Sequence, residues 1–174
     1  MEMNDQMEKN PISDIVITAI VVKDTALTGL PQPKYLITQR SMQEKRWPGK
    51  WTVPGGKLHA DDFLSLPKDT VNAWYNVLDR TLRKEVKEEV NLEIKNIEYV
   101  TSIVAEHGDE HSLIISMMAD YDSGEVKLQE GETDDYAWVT AEEAREYDLI
   151  DGILEEIIIA DNKRKGFKGD WKRV

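Results

Sequence analysis

Cysteine is absent from the 174-residue chain. That absence excludes disulfides, thiolate nucleophiles and thiolate metal ligands together. Metal ligation is left to carboxylates and the 3 histidines. It also suits a reducing cytoplasm, the compartment expected here. No apolar run is long. The longest, IVITAIVV from Ile15 to Val22, falls far short of the roughly 20 residues a membrane helix needs. The opening stretch MEMNDQMEKNPISD is acidic and polar, unlike the start of a signal peptide. Positive charge is scarce: 22 Lys and Arg face 34 Asp and Glu, a formal net charge of −12. Such a field repels nucleic-acid polymers and anionic membranes, so neither is expected as a partner. It also opposes small phosphorylated ligands unless divalent cations screen their site.

What is present suits a globular chain, with 40% hydrophobic and 32% charged residues. One domain over 1–174 is expected, with a flexible stretch at 1–11 and a basic tail at 164–174. The tail reads as solvated, its first cations complementing a helix C-terminus. Ile12 to Lys23 is β-branched and apolar, a central strand. Thr28 to Pro33 is a turn, and Lys34 to Arg40 a second strand paired with the first. A short WTVP strand follows a loop. A long helix is expected from about Thr70 to Val90. Ile94 to Glu106 and Ser112 to Tyr121 read as strands around a polar turn. The stretch from Ser123 reads as a loop that could open with a short strand. YAWV is a further strand. Thr140 with Glu143 makes a capping-box pattern, and Ile150 to Lys163 a final helix. The mixture of hairpins and helices predicts an α/β (α+β) sandwich around a mixed sheet.

Within the long helix, Val71, Trp74, Leu78 and Leu82 recur at helical spacing and predict a core-facing stripe. Glu85, Glu88 and Glu89 follow at i, i+3 and i+4, within one turn of one face. Close carboxylates raise one another's pKa and offer the hard oxygens that Mg²⁺, Mn²⁺ or Ca²⁺ selects. The plain alternative is a solvated acidic face partnered by Lys84 and Lys87. Against it, Glu85 and Glu89 border the stripe that faces the body. Upstream, KWTVPGGK places Gly55 and Gly56 directly after a strand. Alone, these glycines read as a tight turn.

Together, GGKL and KEVKEEVNL resemble the Nudix hydrolase signature. That signature is a Gly, five residues, a Glu, seven residues, then Arg-Glu, an aliphatic, any residue, Glu-Glu, any residue, Gly and an aliphatic. Gly56 matches the opening Gly; Glu85, Val86, Glu88, Glu89 and Leu92 match the second half. YLITQR and DYAWVTAEEA agree at the flanks, from about Ile15 to Tyr147. Two positions and one insertion depart from the signature. Lys84 stands for Arg, Asn91 stands for Gly, and about fourteen extra residues split the box. Counting from Gly56 places its first acid at Asp62. Counting back from Lys84 places it at Asn76. The inserted segment is expected over about His59 to Lys68, docked through Phe63, Leu64 and Leu66. Asn tolerates the left-handed conformation, so the helix exit is expected to survive.

The resemblance implies a Nudix-type α/β/α sandwich and metal-dependent hydrolysis of a nucleoside diphosphate linked to another group. Small nucleotides, triphosphates among them, are the expected substrates. It implies Mg²⁺ or Mn²⁺ held by Glu85, Glu88, Glu89 and the Gly55 carbonyl. A phosphate and a cation close to that turn would exclude a side chain at Gly55. Lys84 would orient a carboxylate in place of Arg. Glu132 is the candidate late-loop ligand or base, with Glu130 second. Arg40 and Arg46 are candidates for the phosphates. Trp47 is a candidate for stacking the base, and Trp51 reads as packed in the sheet. His107, Asp109, Glu110 and His111 read either as a metal cluster or as a polar hairpin turn. A Nudix-fold nucleotide-binding module or regulator with little hydrolysis is the alternative function. A homodimer is allowed. The isomerase branch, which uses a catalytic Cys, is set aside.

Overall fold

β1 (Asp14–Thr25) is the β-branched run, and it lies at the centre of a seven-stranded sheet. The computed structural model describes residues 12–25 and 32–167. The expected flexible start at 1–11 therefore lies outside the described residues. So do most of the Thr28–Pro33 turn and of the basic tail. One edge of β1 pairs in parallel with β6 (Glu110–Ser123) from Asp14 to Val22. Its other edge is shared by two strands. β4 (Gly55–Lys57) pairs antiparallel with Val16 to Thr18, and β2 (Gln32–Arg40) with Val22 to Thr25. Between these pairings the sheet forks, and the Ala19 N–H reaches the Pro54 carbonyl at 2.7 Å. β3 (Trp51–Thr52) and β7 (Thr133–Val139) pair with β2, and β5 (Glu93–His107) closes the far edge on β6.

Strand alternation sends the apolar side chains of β1 to both faces. Ile17, Ala19 and Val21 pack under α2 (Val77–Val90), against Leu82, Val86 and Val90. Ile20 and Val22 pack under α3 (Ile153–Arg164), against Ile157 and Ala160. The expected α/β/α sandwich around a mixed sheet is the observed fold. No helix of the described residues is long and apolar enough to cross a membrane.

The long helix begins seven residues later than its apolar spacing predicts, at Val77 rather than Thr70. Val71, expected in the core stripe, is 86% exposed. The reason is local capture of the backbone by short polar side chains. The Ala73 N–H donates to Thr70 Oγ1 at 3.0 Å and the Tyr75 N–H to Asp69 Oδ2 at 2.9 Å. Asn76 then enters the left-handed region at φ 55° and starts the helix. At the other end Asn91, also left-handed at φ 59°, fills the place of the family's Gly. Its side chain donates to the Glu125 carbonyl at 3.1 Å. The capping box forms, with both reciprocal bonds between Thr140 and Glu143, on a 3₁₀ turn. α3 starts at Ile153, not Ile150, behind Gly152 at φ 92°. The segment 124–132 carries no strand.

Candidate active site

The fork in the sheet brings the glycine pair against α2. β4 lies so close to β1 that a Cβ on Gly55 would stand 2.3 Å from the Ile17 carbonyl oxygen. A Cβ on Gly56 would stand 2.2 Å from Glu85 Oε2. The Gly55 N–H donates to Glu89 Oε2 at 3.1 Å. Successive glycines thus meet carboxylates one helical turn apart. The crowding that requires glycine comes from the β1 backbone and from Glu85, in addition to whatever ligand binds there.

Burial pushes the Glu89 carboxyl up to about 8; the Gly55 N–H opposes this, and the charges of Glu85 and Glu132 add to it. Glu85 is raised as well, first by burial, with Lys84 pulling the other way. Lys84 Nζ lies 2.8 Å from Asp62 Oδ1, 3.5 Å from Glu85 and 3.8 Å from Glu88. Asp62 sits on α1 (Asp61–Leu64), and its carboxylate also accepts the His59 N–H at 2.9 Å. The Lys84 hydrogen bond, aided by that N–H, holds the Asp62 carboxyl below its usual range.

Asp62, not Asn76, meets Lys84. Counted from Asp62, the extra residues lie in the stretch that holds the loop over 65–76 between α1 and α2 (Val77–Val90), which overlaps only the end of the expected His59 to Lys68 segment. The loop closes on itself. The Trp74 indole N–H donates to the Leu66 carbonyl at 3.1 Å, and its ring centroid lies 5.2 Å from that of Phe63. Leu64 is 58% exposed, so the docking expected of it does not occur.

Glu85 and Glu89 converge on the glycines. Glu88 does not: its side chain is 54% exposed and points toward Lys84. Among the described residues no three His, Asp or Glu side chains enclose a metal position. That holds for the His107–His111 turn too, which stands as a polar hairpin with Glu110 paired to Arg46. Glu132 accepts from Gln129 Nε2 at 2.9 Å, within electrostatic reach of Glu89. Glu130 is exposed. Arg40 pairs with Glu44 at 2.5 Å and donates through Nε to the Arg46 carbonyl at 2.9 Å. Trp51 packs edge-on against Tyr147, as expected of a residue in the sheet.

Beside the glycines opens a cavity of about 590 Å³ lined by Arg40, Trp47, Gly55 and Glu89, all singled out in the sequence. Trp47 takes φ 50° and meets His107 edge-on at 4.7 Å. The cavity is also lined by Glu156, which the sequence reading passed over. Its signal was available: Ile153, Glu156, Ile157 and Ala160 share one helical stripe, and a carboxylate there is out of place.

The NUDIX domain family pattern matches residues 20–158. The chain belongs to the NUDIX family. The NAD-capped RNA hydrolase NudC of Actinobacillus succinogenes is 38% identical over a stretch covering 47% of this chain and 34% of that relative. The chain therefore spans only about a third of that relative's length. Among solved structures, a NUDIX hydrolase from Alicyclobacillus acidocaldarius superposes with TM-score 0.67 at 14% identity, covering 86% of this chain and 90% of the other. The NUDIX domain of Shewanella oneidensis NrtR complexed with ADP ribose gives 0.64 at 17% identity, covering 86% and 87%. At these identities the structures speak for the fold alone.

Proposed function

We propose that this chain hydrolyses the diphosphate linkage of a small nucleotide, a nucleoside triphosphate or a nucleotide derivative, with Mg²⁺ or Mn²⁺. The observation that carries the reading is the seating of Glu89 and Glu85 against Gly55 and Gly56. Two half-buried carboxylates are held there by a strand backbone whose bare α-carbons leave room for nothing larger. This donor set fits a hard divalent cation. Glu85, Glu89 and the Gly55 carbonyl would hold it, with Glu88 reached after a rotamer change. When bound, such an ion screens phosphate charge and lowers the pKa of water.

The chain's own residues do the rest. Arg40 faces the cavity with a fixed positive charge suited to a phosphate. Glu132, within electrostatic reach of Glu89, is the residue we assign to take a proton from an attacking water. Lys84, anchored by Asp62, lies beside Glu85 and steadies it. A net charge of −12 keeps polyanions away until cations reverse the local field.

The substrate panel should include nucleoside triphosphates, ADP-ribose-like compounds and, from the name of the curated relative, a capped RNA 5′ end. Hydrolysis should vanish in excess EDTA. Glu89→Gln should lower the rate on the order of 10²-fold or more. A folded Glu89→Gln variant with full activity sinks this reading. Lys84 in place of Arg and the outward Glu88 favour a second reading, a nucleotide-binding module with little turnover. Binding of a nucleotide without any product in the same panel would select it.

A further inference from the structure

Glu156 is 2% exposed, and neither of its carboxylate oxygens has a hydrogen-bond partner among the described residues. The Ser116 hydroxyl, which accepts from Thr18 Oγ1 at 3.2 Å, only partly offsets the burial. That burial pushes the Glu156 carboxyl up to about 7. An interior carboxyl without partners is costly, and native structures keep few of them. Core packing alone does not call for one, since the stripe around it is Ile153, Ile157 and Ala160.

Glu156 lines the same cavity as Arg40, Trp47 and Glu89. It also borders a second cavity of about 340 Å³ along the start of α3. The cavity of about 590 Å³ is of the size that holds a small organic ligand. Glu106 of β5 and Asp151 ahead of α3 line its exposed rim, and three further charged groups differ in kind. α2 gives the hydrolytic carboxylate, β2 gives a guanidinium, and α3 gives a carboxylate set among isoleucines. Trp47 is 38% exposed beside them and offers a flat apolar face.

A nucleotide matches that division: phosphates toward Arg40 and Glu89, base against Trp47, base edge toward Glu156. Once ionised, above about pH 7, the Glu156 carboxylate presents two acceptors side by side and no donor. The base edge that complements it carries two adjacent N–H donors. Guanine has that edge, in N1–H and the 2-amino group; adenine offers one donor beside one acceptor. We propose that Glu156 reads the base of the bound nucleotide through two accepted hydrogen bonds and so selects guanine over adenine. This rests on the nucleotide-hydrolase reading above, but its test does not need turnover.

The test is calorimetric binding of GMP and AMP, which carry no diphosphate linkage to hydrolyse, in excess Mg²⁺ and at a pH well above the Glu156 value of about 7, to the full chain and to two variants. The unaltered chain should prefer GMP by roughly tenfold or more. Glu156→Gln, the same shape with one acceptor and one donor, should reverse the preference toward AMP. Glu156→Leu should bind both alike. Neither variant buries a new charge, and circular dichroism would verify that both are folded. An unaltered preference in Glu156→Gln, an equal loss for both nucleotides, or a preference for AMP in the unaltered chain overturns the inference. A reversed preference without hydrolysis of any substrate would retain it and reject the enzyme reading. Hydrolysis with an unmoved preference would do the opposite.

Discussion

Glu89 should make the metal-free protein less stable as the pH rises, and removing its charge should stabilise the fold. The ordinary carboxyl value of 4.5 is pushed to about 8 by burial at Glu89. Between these two values the folded state keeps a proton that the unfolded chain has lost. Stability therefore falls as pH climbs from about 4.5 to about 8, and levels off above. At pH 7 the unfolded carboxyl is about 2.5 pH units past its midpoint. At about 1.4 kcal/mol per unit this comes to about 3 kcal/mol. Glu89 is only partly shielded from solvent, which lowers the expectation to about 2 kcal/mol. Glu89→Gln should recover that amount, roughly 4 to 8 °C in melting temperature for a chain of this size. The amide can still accept the Gly55 N–H. Glu156 contributes a similar decline that fades above its value of about 7, so the difference in slope near pH 8 between the parent and Glu89→Gln reports Glu89. The assay is urea denaturation in EDTA from pH 5 to 9, then again with excess Mg²⁺. Mg²⁺ should stabilise the unaltered chain at pH 8 and do much less for the variant. A variant less stable than the parent at pH 8 in EDTA would refute the reasoning.

Lys84→Arg should raise kcat roughly three- to tenfold with little change in KM, because a planar fork constrains the adjoining carboxylates better than a point charge. Steady-state kinetics decide it, and a neutral or harmful effect would mean that the short contact to Asp62 has been tuned to Lys. Excision of the loop after α1, residues 66–75, should leave Mg²⁺ binding intact and alter the relative kcat/KM values across the substrate panel. Identical constants would make the loop a surface ornament. Asn91→Ala should cost about 1–2 kcal/mol in denaturant unfolding, since alanine tolerates the left-handed helix exit poorly and the bond to Glu125 is lost. Asn91→Gly should cost less.

The sequence carried the carboxylates, the glycine pair and the central strand because each is a local pattern with one physical meaning. Three Glu at i, i+3 and i+4 must share a helix face, and an uninterrupted β-branched run must be covered on both sides. The helix start was misread for a reason equally local. Val71 and Trp74 continue the apolar spacing of Leu78 and Leu82, but Asp69 and Thr70 bind the backbone first. Apolar periodicity does not record that competition. Glu88 shared the face in the helical projection yet turned to Lys84, because a long side chain at the border of a face can choose solvent and a cation over crowding with its own kind.

The cavity was the least legible part, because it depends on where β1 changes partners. Ile15 to Val22 reads the same whether one strand or two share its edge. Only the pairing of Gly55 with Thr18 and of Tyr35 with Val22 opens the fork. That fork lets Glu89 from one face and Glu156 from the other border a single space. A helix pattern by itself makes the first a ligand candidate and the second an anomaly. Their shared cavity gives the anomaly a ligand to meet. The two carboxyls also differ in what they cost. Glu89 has a backbone donor and lies among charges that a cation can neutralise. Glu156 has neither; Ser116 offsets its burial only in part, and something that brings hydrogen-bond donors into the cavity would relieve the rest.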